Sequence, residues 1–127
     1  MERTEPKTTS AGSAQETSVR SSKVRQVLQE LWEANRGTIA ERIAAIRSAY
    51  DLLSGAGLDA STREKAISAA HKLAGVLGTF GFPRGSELAL QTQLLLEVDG
   101  PVVPAEIARL KAMLDELAVI VTTQSLP

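Results

Sequence analysis

Apolar residues recur three or four positions apart in five stretches of this chain, and strand-like alternation bounded by turn residues is hard to find anywhere. The first stretch, Ser22 to Ala34, puts Val24, Val27, Leu28 and Leu31 on one stripe and runs into Asn35-Arg36-Gly37, where a glycine can turn left-handed and end a helix. Thr38 and Glu41 then have capping-box spacing. Ile39, Ile43, Ile46, Ala49, Tyr50 and Leu53 form the inner face of a second helix, broken by Ser54-Gly55-Ala56-Gly57. Ser61 and Glu64 repeat the box at the head of a third helix that reaches Gly81. Beyond Pro83 a fourth helix spans about Ser86 to Val98, anchored by Leu88, Leu94 and Leu95, and Asp99-Gly100-Pro101 ends it. The fifth opens at Pro104 and carries Ile107, Leu110, Leu114, Leu117 and Val121.

Short connections favour antiparallel neighbours. The pattern therefore predicts an all-α protein: an up-down-up-down antiparallel four-helix bundle, with an additional short N-terminal helix capping one end. Residues 1–20 are rich in Ser, Thr and charge and are expected to form a disordered tail; the domain covers 21–122, and 123–127 fray.

The third helix holds the single histidine. On a helical wheel Arg63, Ile67, Ala70, Ala74 and Leu77, extended by Ala66, Leu73 and Phe80, share one arc, the buried face, and Arg63, which does not suit it, is expected to leave the bundle at its end. His71 falls roughly 120° from the centre of that arc and should reach water. Its side of the helix carries Glu64, Ser68, Gly75 and Gly78, so an imidazole would stand above a flattened surface. Two glycines inside a helix each cost about 1 kcal/mol relative to alanine. Either a neighbouring helix packs closely on them or something from outside approaches that backbone; the spacing leaves both open. A lone helical histidine is more often a solvated residue than a reactive one.

Composition narrows the classes. The 127 residues carry a formal charge of -1 and 3% aromatic side chains, too little positive field and stacking surface for nucleic acid. With no cysteine and one histidine, thiolate and His-pair metal sites are excluded. No run approaches the ~20 apolar residues of a membrane span, so a cytoplasmic protein without membrane insertion is expected. No glycine-rich phosphate cradle is present, which argues against ATP binding and autokinase activity.

The segment His71-Lys72-Leu73-Ala74-Gly75-Val76-Leu77-Gly78-Thr79-Phe80-Gly81 resembles the signature of histidine phosphotransfer domains of two-component phosphorelays: a histidine, an apolar residue two later, a glycine four later and a glycine ten later. The following Phe82-Pro83-Arg84-Gly85-Ser86 also resembles a subgroup in which a proline-bearing turn opens the next helix. The resemblance implies that His71 is the phospho-acceptor, that Gly75 and Gly78 leave room for a partner, and that the partners are a response-regulator receiver domain, a hybrid histidine kinase, or both. It implies a monomeric carrier that holds no cofactor or metal, with Mg²⁺ supplied by the receiver.

Many members place a lysine three residues after the histidine, where this chain has Ala74. Lys72 and Arg84 are the candidates to supply that charge, and Glu64 and Ser68 are the polar neighbours expected beside the imidazole. The missing lysine motivates an alternative reading, a docking module of the same fold that binds a receiver or kinase without phosphotransfer. A purely structural bundle is a third.

Overall fold

A computed structural model describes the backbone of residues 4–123 and the side chains of residues 22–122; the expected C-terminal fray, 123–127, falls outside the described side chains. The chain is four helices, α1 (Thr4–Leu53), α2 (Ala60–Thr79), α3 (Pro83–Glu97) and α4 (Pro104–Thr123), with no strand among the described residues. It divides into two compact units, Met1–Ala34 and Asn35–Pro127, and the bundle described below belongs to the second.

Two of the expected helices are one. The backbone stays helical through Asn35-Arg36-Gly37 and Thr38, because Gly37 does not adopt positive φ and its missing side chain leaves only open space. A glycine ends a helix only when the chain turns left-handed there; otherwise it costs about 1 kcal/mol of propensity and the hydrogen-bond ladder continues. Thr38 is accordingly an interior residue and not a cap. The helix α1 begins at Thr4, inside the stretch expected to be a tail, whose side chains lie outside the described residues. Within the first unit, Val24 and Val27 are exposed.

The core of the second unit is the set that helical spacing picked out. Ile39, Ile43, Ile46 and Ala49 of α1, Ala66, Ala70, Leu73 and Leu77 of α2, and Leu110, Leu114 and Leu117 of α4 are all buried. In α3 the inward residues are Leu88, Ala89, Leu95 and Leu96, with Thr92 among them. Leu94, expected as an anchor, points outward, since it sits half a turn from Ala89 and Leu96 on the wheel. The Thr92 hydroxyl donates to Leu88 O at 2.9 Å, so this buried polar side chain is satisfied inside its own helix.

Cross-helix contacts fix the directions. Between α2 and α3, Ser86 pairs with Ala74 and Arg63 with Leu96; between α3 and α4, Arg84 pairs with Glu116 and Gln91 with Arg109. As the number rises on one helix it falls on the other, so both pairs are antiparallel. Arg47 of α1 lies 3.8 Å from Asp115 of α4.

Two helix starts also differ from expectation. The cap of α2 is Asp59, whose carboxylate accepts from Thr62 N at 2.7 Å and from the Thr62 hydroxyl at 2.9 Å; the box read at Ser61 and Glu64 is two residues too late. Pro83 is the first residue of α3, where an absent N–H costs nothing, and not a linker before Ser86.

Candidate functional site

The site is built on α2 and the turn that follows it. Gly81 takes φ +84, Phe82 N donates to Leu77 O at 2.8 Å, and Phe82 and Leu77 are both buried. This is a Schellman ending with its apolar contact, and it reverses the chain within three residues. The reversal lays α3 antiparallel along α2. At its start Gly85 lets the helices close: a Cβ there would sit 2.9 Å from Leu77 Cδ1.

Burial of Ala66, Ala70, Leu73 and Leu77 rotates His71 to the outside, where it is exposed as the wheel predicts. Its Nδ1 lies 3.3 Å from Oε1 of Gln93 on α3, and the Gln93 amide nitrogen in turn lies 3.4 Å from Oε2 of Glu97. An amide oxygen only accepts, so this contact is a hydrogen bond when Nδ1 carries the ring proton. Nε2 then keeps its lone pair, on a side chain that is exposed.

The glycines separate into two roles. Beside His71, a Cβ on Gly75 would meet nothing within 4 Å, so no neighbouring helix accounts for this glycine. A Cβ on Gly78 would lie 3.4 Å from the Ser86 hydroxyl, which donates to Ala74 O at 2.7 Å; close packing against α3 accounts for this one in part. The Thr79 hydroxyl donates to Gly75 O at 2.9 Å and secures the last turn.

The charged residues distribute differently from the expectation. Arg84 forks onto Glu116 at 2.8 and 3.1 Å and lies 3.7 Å from Glu87. The fork to Glu116 raises the Arg84 pKa, and it lowers that of Glu116. Nine residues separate Arg84 from Gln93, which is half a turn on a helix, so Arg84 faces α4 and cannot supply charge beside His71. Glu64 and Ser68 do not contact the imidazole. They line an open groove between α2 and α1, together with Lys72, Lys65 and Arg42. Among the described residues no ion pair engages Lys72, the basic residue next to His71 in sequence.

Two contributors escaped the sequence reading and a third residue was misplaced by it. Gln93 and Glu97 look like ordinary solvated helix residues until α3 is laid against α2. Arg63, expected to leave the bundle, instead donates to Leu96 O at 3.0 Å and Val98 O at 3.1 Å, placing a cation on the last carbonyls of α3. Its position in the apolar arc was the available signal. No cluster of three potential metal ligands exists among the described residues.

A family model described as Hpt domain matches residues 24–119. Comparison with curated proteins returns no match, and comparison with solved structures returns none.

Proposed function

Because the chain belongs to the Hpt domain family, whose members are histidine-containing carriers of two-component phosphorelays, we propose that His71 is the residue that carries the phosphoryl group. Hpt domains work with receiver domains and histidine kinases, and the donor in this reading is the phospho-aspartate of a receiver. The Nε2 lone pair of His71 attacks phosphorus in line; the N–P bond forms as the bond from phosphorus to the aspartate oxygen breaks, and the carboxylate leaves. The reverse step delivers the group to a second receiver aspartate.

The observation that carries this reading is the posture of His71: exposed, with Nδ1 facing the Gln93 oxygen, above the unfilled space at Gly75. An imidazole so held needs no dedicated base, because Nε2 is already the unprotonated nitrogen. The work left to the protein is positioning and charge neutralisation, which dominate phosphoryl transfer. Lys72, exposed and next to His71 in sequence, is the cation of this chain that we assign to the incoming phosphoryl oxygens. In this reading Mg²⁺ would be contributed by the receiver. One copy of the chain contains every group in the site, and the carrier is monomeric in this reading. No described helix is long and apolar enough to cross a membrane.

The test is incubation with a phosphorylated receiver domain and, separately, with a small phosphoryl donor, followed by intact mass. The wild type gains one acid-labile phosphoryl group and His71→Gln gains none. Absence of any gain on a folded wild-type protein, with every donor tried, shifts the function to docking without transfer.

A further inference from the structure

Glu97 stands one helical turn beyond Gln93 on the exposed face of α3, and the two side chains meet at 3.4 Å through the amide nitrogen. A carboxylate can only accept, so it draws the NH₂ end of the amide toward itself and turns the carbonyl end toward His71, 3.3 Å away. Gln93 has no other described polar partner that would choose between its two orientations. The choice matters for the chemistry. With the amide reversed, the NH₂ group faces Nδ1, which must then accept; the ring proton moves to Nε2 and removes the lone pair that attacks phosphorus. Arg63, a cation at this end of α3, is spent on the carbonyls of Leu96 and Val98.

We propose that Glu97 is a positioning residue for phosphoryl transfer, acting through Gln93 to hold His71 protonated at Nδ1 and nucleophilic at Nε2. This rests on the reading of His71 as the acceptor and adds a component to it. As the N–P bond forms the ring gains positive charge, and the Nδ1 proton stays on the ring, donated to the Gln93 oxygen, so the Glu97 charge also favours the product side of the attack.

The experiment is long-range ¹H–¹⁵N NMR of the His71 ring in the full chain, above the pH at which the imidazole is protonated, for wild type, E97A, E97Q and both in a Q93A background. Wild type is expected mainly as the Nδ1–H tautomer. In E97A the ratio of Nδ1–H to Nε2–H falls about two- to fivefold, the size of one weak hydrogen bond, and the phosphorylation rate falls by a similar factor. E97Q, which retains an accepting oxygen, restores most of the ratio. With Q93A already present, E97A has no further effect on the tautomer. A ratio unchanged by E97A, or changed equally in the Q93A background, overturns the role of Glu97. A wild type that no donor phosphorylates instead overturns the acceptor reading, whatever the tautomer ratio.

Discussion

Nδ1 of His71 and Oε1 of Gln93, 22 residues apart in sequence, lie 3.3 Å from each other across the α2–α3 pair. Removing the acceptor with Gln93→Leu is expected to leave unfolding nearly unchanged, because the residue is only half-buried, and to slow phosphorylation of His71 about two- to fivefold. Single-turnover labelling with a small phosphoryl donor, which needs no docking surface, measures that loss directly.

Gly75 provides a sharper separation of stability from docking. Its Cβ position is open, so Gly75→Ala should stabilise the protein by about 0.5–1 kcal/mol through helix propensity alone. Gly75→Leu fills the space beside His71 and should block transfer from a receiver while sparing transfer from a small donor. Equal loss with both donors would mean that the side chain disturbs His71 itself.

Gly85 is predicted to behave in the opposite way. A Cβ there already meets Leu77 Cδ1 at 2.9 Å and Ile120 Cγ2 at 3.5 Å, all within the core. In Gly85→Ala this crowding roughly offsets the gain in propensity. Gly85→Val adds two further methyl groups to the same gap and should destabilise by about 1–3 kcal/mol, read from urea unfolding.

The pH dependence of folding should carry an acid limb from Asp59. The backbone hydrogen bond from Thr62, followed by its side-chain hydrogen bond, holds the Asp59 carboxyl below its usual value. A carboxyl depressed in the folded state contributes stability that is present above its unfolded value and lost as pH falls through the folded one. Thermal stability should therefore fall below pH ~4, where aspartate protonates in the unfolded chain. Asp59→Asn, which still caps but does not titrate, should remove that component and leave the contributions of Asp115 and Glu116, whose carboxyls are also depressed by Lys111 and Arg84.

Absence of labelling in His71→Gln, with its fold retained, remains the first control for all of these. The side chain is exposed, so its replacement should change stability by no more than about 0.5 kcal/mol.

Much of the fold was legible because helical burial repeats locally. Ile39, Ile43 and Ile46, or Leu110, Leu114 and Leu117, declare an inner face by spacing alone, and they are buried as that spacing requires. The same periodicity turned His71 outward. What misled was punctuation: Asn35-Arg36-Gly37 reads as a stop, and Ser61 with Glu64 reads as a start. A glycine permits a left-handed turn without compelling one, and an aspartate two residues before Ser61 took the cap by accepting from Thr62 N. Leu94 shows a different limit, for three leucines in a row cannot all face one side of a helix and composition does not say which faces out.

The sequence by itself determined that this chain is helical, which stripe of each helix is buried, and that its one histidine stands in water four residues before an interior glycine. Those features depend on residues within a turn or two of each other, where the geometry is set by the helix itself. Only the tertiary structure decided that Gln93, 3.4 Å from Glu97, faces His71, and that Arg84 is committed to Glu116, 32 residues away. Which polar side chains meet across two helices depends on how far one is slid and rotated against the other. That offset is set here by the Gly81 turn and the close approach at Gly85, and no periodicity within a single helix encodes it.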